Sequence, residues 1–273
     1  MSIAFYLTRS VRTQEHYLVF LECLEAINKS YPNVPIIVIR DNEHFNFAEY
    51  NIDENDPQCY KDIVKNNIYF IDSEFQGVAE TLRLYYYWKV CTDRDKYSHI
   101  PATHYAICMH DSMFIHTQII LDHCNKYGYE DFFTARQSWN IPEDEKAIID
   151  IIPKNHELLH ETYKTDNWHT NFGVNVVLTF EFLNKVNKMF DVFNPEFLSQ
   201  IHTHEQRVAL ERIWGLMFAC CNYNPNTVYG DINTYHGWQV QRFKMNKDFY
   251  YKFYVEHKEY YVNFPIIKVW CNR

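Results

Sequence analysis

Residues 105–115 read YAICMHDSMFI: five apolar residues, the polar triplet His110-Asp111-Ser112, then a second apolar run. Five apolar residues are too few for a helix and suit a strand buried on both faces of a parallel sheet. Such a strand carries an imidazole, a carboxylate and a hydroxyl to its carboxyl end. In open α/β sheets that edge is where ligands bind. The plainer alternative is a strand that simply stops and turns through polar residues.

The same pattern recurs upstream. Residues 3–7 form a short β-rich run that meets Thr8 and Arg9, and Tyr17, Phe20, Leu21, Leu24 and Ile27 then follow at helical spacing. Residues 36–39 are apolar and β-branched and end in Arg40-Asp41-Asn42. Strand, helix, strand in this order requires a parallel pair joined by a crossover. A third strand is expected at 68–71 and a helix at 78–91, with Val78, Leu82, Tyr85, Tyr86 and Val90 on its apolar side. Glu80 and Arg83 are expected as an exposed pair on its other side. Residues 43–58 read as a surface loop and 59–66 as a short helix. Three strand tips, Thr8/Arg9, Asp41/Asn42 and the triplet, then share one sheet edge and form a cleft.

Downstream, helices are expected at 118–126, 142–152 and 180–190, and strands at 131–134 and 174–178. Trp168 and Gly173 precede the last of these strands and can form a platform for a sugar face or cover the core. Thr203-His204-Glu205-Gln206 matches a capping box, and the helix it opens is apolar nearly all round. Glu205 sits in its first turn beside His202 and His204, positioned either as an acid or base or as a partner of the helix dipole. Glu211 and Arg212 read as a buried ion pair. Near the end, His236 beside Gly237 is a candidate metal or phosphate contact. Aromatic residues in 249–255 and 260–264 read as strands.

Composition narrows the function. Over 273 residues the net charge is −9, with Lys and Arg dispersed, which excludes a nucleic-acid binder working through a basic face. With 47% hydrophobic and 22% charged residues, and only 6 Gly and 9 Pro, the chain should fold throughout as one α/β domain. No apolar run of about 18 residues is present to span a membrane. The eight cysteines form no C-x-x-C pair and read as reduced, buried thiols. No leader is expected, and the expected location is the cytoplasm.

The triplet after AICM, the Trp168–Gly173 segment, the EQRVALERIWGL helix and the NTYHGW stretch at 233–238 together resemble the GT-A glycosyltransferases. More narrowly, they resemble GT-A-like sugar transferases of large DNA viruses and some bacteria. The resemblance implies a Rossmann-like, mostly parallel sheet flanked by helices. Its nucleotide-binding part would lie in about residues 1–135 and its acceptor side in about 136–273. It implies a nucleotide-diphosphate sugar donor, most simply a UDP-sugar, a carbohydrate acceptor, and Mn²⁺ or Mg²⁺. His110-Asp111-Ser112 stands where that family has Asp-x-Asp, so one carboxylate replaces two. By the same resemblance Asp111 and His236 would hold the ion. Thr8, Arg9, Asp41, Asn42, Arg83, His110 and Ser112 would contact the nucleotide. Glu205 would activate the acceptor, and Trp168 and Gly173 would line its side. Two rivals remain: a non-catalytic binding module with the same fold, and a metal phosphohydrolase that uses His110-Asp111 as its HD pair.

Overall fold

A computed structural model describes residues 2–41, 45–50, 60, 64, 67–134, 142–165, 167–235 and 250–269. Its centre is a sheet of six strands in the order β3-β2-β1-β4-β7-β6. These are β1 (Ile3–Arg9), β2 (Ile36–Arg40), β3 (Ile68–Asp72), β4 (Tyr105–His110), β6 (Tyr129–Asp131) and β7 (Val176–Thr179). β1 pairs in parallel with both β2 and β4, and β2 with β3, whereas β7 runs antiparallel to β4 and to β6. The expected mixed, mostly parallel α/β fold is therefore the fold observed. Strands from both sides of residue 135 contribute to the one sheet.

Alternation along each strand explains why both sheet faces are covered. Ala4, Tyr6, Ile37, Ile39, Ala106, Cys108, Val176 and Leu178 belong to one apolar core. Their neighbours Phe5, Leu7, Ile36, Val38, Ile107, Met109 and Val177 belong to a second. A strand with no polar face has to be sandwiched. On the first face lie α2 (Thr81–Thr92), α4 (Pro142–Ile151), α5 (His156–Tyr163), α6 (Phe180–Phe190), α7 (Pro195–Leu198) and α8 (His204–Asn222). On the second lie α1 (Gln14–Ser30), α3 (Asp122–Tyr127) and a two-stranded sheet of β5 (Met113–Ile115) with β8 (Ile266–Lys268).

Local chemistry sets the helix ends. The Thr13 hydroxyl accepts from the His16 amide to start α1. Thr203 and Gln206 form the expected capping box of α8. Inside α8, Gly215 is required by packing, because a Cβ there would stand 2.1 Å from the His169 carbonyl oxygen. That close approach docks α8 on the segment leading into β7.

Several expectations are corrected. The C-terminal aromatic runs are helical, over Tyr250–Glu256 and Lys258–Tyr261. Tyr254 and Tyr261 both point into the core at helical spacing, while Val255, Tyr260 and Val262 are exposed. Burial at period 3.6 prevailed over aromatic β preference. The helix expected at 118–126 is Asp122–Tyr127, and the strand expected at 131–134 is Tyr129–Asp131. Most of 59–66 lies outside the described residues. Arg212 pairs across helices with Glu145 of α4, not with its neighbour Glu211. Adjacent residues in a helix diverge by about 100°, so they cannot share one partner site. Among the described residues six cysteines are free thiols, Cys220 and Cys221 included. Among the described residues no helix is long and apolar enough to cross a membrane.

The Arg212–Glu145 pair is buried, and Tyr163 donates its hydroxyl to the same carboxylate. Glu145→Ala strands a buried guanidinium and should lower stability by about 3 to 5 kcal/mol. Urea unfolding of the variant against wild type measures this.

Candidate active site

From β1 the chain moves outward through β2 and β3, then returns to place β4 on the other side of β1. The order reverses between β1 and β4, and in open α/β sheets ligands bind outside the carboxyl ends at such a point. Thr8 and His110 are register partners at that point. β4 stops at His110, and Asp111-Ser112 turns the chain away into β5. Chain geometry therefore puts the triplet at the switch point.

The three residues of the triplet are held differently. The His110 amide donates to the Asn175 side-chain oxygen at 2.9 Å, and its Nε2 lies 3.7 Å from Glu80 Oε1. Asp111 is 1% exposed. The Ser112 hydroxyl accepts from Lys268 Nζ at 2.7 Å, and the Ser112 carbonyl accepts from the Val269 amide at 2.9 Å. β8 thus delivers a buried ammonium to the triplet.

Arg83, expected on an exposed helix face, has no solvent exposure at all. Its Nε donates to the Glu80 carbonyl, one terminal nitrogen donates to the Asn175 side chain, and the other to the Gly173 carbonyl. Burial lowers its pKa, and the charges of Glu80, Glu211 and Asp111 act against that. Gly173 meets Arg83 through its oxygen and Glu211 through its nitrogen, which donates at 3.0 Å. Its φ is +60°, and a Cβ would come within 2.4 Å of His110 Nε2. Glycine is needed here both for the left-handed backbone and to admit the imidazole. Burial, followed by the Glu80 charge, holds the Glu211 carboxyl well above the usual carboxylate range, while the Gly173 amide, Arg83 and Lys268 oppose the shift. Arg83, Glu211 and His110 thus meet at Gly173, with Glu80 beside His110 and Lys268 bonded to Ser112. Such a set can bind an anion, hold a proton and orient a hydroxyl.

The tips of β1 and β2 build the neighbouring wall. The Thr8 hydroxyl donates to the Ala79 carbonyl. The Arg9 guanidinium is buried among Phe20, Phe47 and Phe70, with its carbon 5.1 to 5.5 Å from the three ring centroids. The Asp41 carboxylate accepts the Gly77 and Ala79 amides at 2.9 and 3.2 Å and so shapes the loop before α2. Burial raises its pKa, and those two amides work against the rise. Asn42 and His236 lie outside the described residues.

Two expected acceptor-side residues have other contacts. Trp168 packs on the Tyr163 ring, 5.4 Å between centroids, beside the Glu145–Arg212 pair. Glu205 is exposed, and its own amide and the Thr203 hydroxyl hold its carboxyl below the usual range. That is the behaviour of a helix-capping residue. Glu80, Glu211, Asn175 and Lys268 belong to the site although their sequence context does not name them. The one signal was a carboxylate, Glu211, in a helix otherwise apolar almost all round.

No protein-family model matches the sequence, and no curated protein matches it. Similar solved structures include the following two. Core-mannan synthase A (CmsA/Ktr4) of Aspergillus fumigatus, in an Mn/GDP form, is 10% identical with a TM-score of 0.38, over 80% of this chain and 66% of that one. TarS of S. aureus is 9% identical with a TM-score of 0.40, over 85% of this chain and 36% of that one. This chain thus spans 66% and 36% of their lengths.

A carboxyl whose pKa is raised by folding costs stability as pH climbs from its ordinary value of 4.5 through the raised one, because only the unfolded chain ionises it freely. Glu211→Gln keeps an acceptor for the Gly173 amide and removes that cost. Its melting temperature should match wild type near pH 4 and exceed it progressively toward pH 8, as followed by thermal melts across that range.

Proposed function

We propose that this chain is a glycosyltransferase that takes a nucleotide-diphosphate sugar, a UDP-sugar in the first instance, and passes the sugar to a hydroxyl of a carbohydrate acceptor. The observation that carries the reading is the His110-Asp111-Ser112 tip of β4, set opposite Thr8 at the sheet's switch point with Arg83 and Lys268 beneath it. Sugar transfer of this kind expels a diphosphate, and a site that performs it must meet growing negative charge with fixed positive groups. The tips of β1 and β2, with Thr8, Arg9, Asp41 and Asn42, form the base and ribose side. The segment at Gly173 and Trp168 forms the acceptor side.

The resemblance also implies Mn²⁺ or Mg²⁺. Among the described residues no three His, Cys, Asp or Glu side chains gather around one point, and the Ser112 hydroxyl is already bonded to Lys268. Asp111 is the hard oxygen donor of the triplet, which suits an ion whose other ligands are phosphate oxygens and water. Asp111 would hold it, with His236 as the second ligand. Bound there, the ion would neutralise charge on the departing diphosphate.

The chain's own residues do the rest. Arg83 braces the Gly173 carbonyl and adds positive potential to the floor of the site. Glu211, whose carboxylate accepts the Gly173 amide at 3.0 Å, takes the acceptor proton. Glu205, solvated at the helix start, is assigned to capping.

A ligand that binds only the folded state raises its melting temperature. UDP, GDP, CMP and dTDP, each with and without Mn²⁺, should include one that stabilises the protein. No shift with any of them refutes the reading, and binding without transfer would leave a sugar-nucleotide-binding protein. Asp111→Asn should remove the Mn²⁺-dependent part of the affinity. In transfer assays Glu211→Gln should lower kcat by about 10²- to 10⁴-fold, while Glu205→Gln should retain it.

A further inference from the structure

Lys268 is placed by a sheet, not by a loop. It is the register partner of Met113 in the β5–β8 pair, and the ladder continues one bond further, from the Val269 amide to the Ser112 carbonyl. Its side chain is buried, with the ammonium 2.7 Å from Ser112 Oγ. Taking an ammonium out of water costs several kcal/mol by general estimates, about what an internal anion can return. A lysine that served only the strand would be replaced by methionine at no loss of packing. Ser112 closes the triplet and accepts one of the three ammonium N–H bonds. The third position of the triplet thus positions a cation of the polypeptide itself, where a carboxylate there would have attracted one from solution.

We propose that Lys268, oriented by Ser112, is a diphosphate-binding residue of this site, so that nucleoside diphosphates bind with a component that needs no divalent ion. The inference rests on the transferase reading and deepens it. An ammonium is a compact point charge that pairs well with phosphate oxygens. When no phosphate is present the Ser112 hydroxyl holds the ammonium, and Glu211 interacts with its charge. A diphosphate entering the crevice exchanges one anionic environment for another, and the ammonium stays put.

Isothermal titration of the full chain with UDP in EDTA tests this, with pyrophosphate as a base-free probe and uridine as a phosphate-free control. Wild type should bind UDP and pyrophosphate without metal. Lys268→Met should weaken both by about tenfold or more, with uridine affinity unchanged and Lys268→Arg restoring most of the loss. Equal UDP affinity in EDTA for Lys268→Met and wild type overturns the proposal, as does wild-type binding that appears only with Mn²⁺. If Lys268→Met fails to fold, Ser112→Ala keeps the charge but frees the ammonium. It should lose metal-free UDP affinity, and unchanged affinity there also overturns the proposal. If wild type binds none of UDP, GDP, CMP and dTDP even with Mn²⁺, the transferase reading itself fails, and this inference with it.

Discussion

A guanidinium with no access to water must find all its acceptors inside the protein, and Arg83 is such a group. It finds three acceptors on two pieces of chain: the Glu80 carbonyl at the start of α2, and the Gly173 carbonyl and Asn175 side chain in the turn before β7. Asn175 in turn accepts the His110 amide. One buried cation therefore ties α2 to the ends of β4 and β7. The carboxylates gathered around it are the electrostatic consequence: Glu80, Glu211 and Asp111 all act on its charge. Remove that cation and the acidic side chains would repel one another.

Sheet and site differed in how far they were legible in the sequence. Short apolar runs with polar tips at 8–9, 40–42 and 110–112 were sufficient to locate the parallel strands and their common edge. Those signals are local, since a strand buried on both faces has to be apolar wherever it lies. The capping box at Thr203 was equally local. Pairings between distant segments were not. Lys268 and Ser112 are 156 residues apart, and Arg83 and Asn175 are 92 apart. No spacing rule links such positions. Glu80 and Arg83 read as a solvent-exposed pair because helical periodicity describes one face at a time, whereas α2 is covered on nearly every side.

The C-terminal aromatics were misread for a related reason. Tyrosine and phenylalanine favour strands on average, but that average reflects packing on a pleated, half-buried surface. Here the available surface is a groove beside α1, where Lys258 also reaches Glu22 at 2.6 Å. Two short helices, one presenting Tyr254 and the other Tyr261, fill that groove. The strand that does form, β8, is short and carries the lysine.

The β5–β8 pair also bears on the order of events during folding. The six-stranded sheet can assemble its β1–β4 portion from the first 110 residues of the chain, with contacts of modest sequence separation. The ammonium beneath the triplet arrives only when residues 266–268 have been made and have paired with β5. Contacts of long separation form late, because the loop they close must be ordered first. A chain interrupted before that strand would hold a sheet, a cleft and a set of mutually repelling carboxylates with one counter-charge missing. The charge balance of the cluster thus hangs on the pairing of β8 with β5, which serves as its checkpoint.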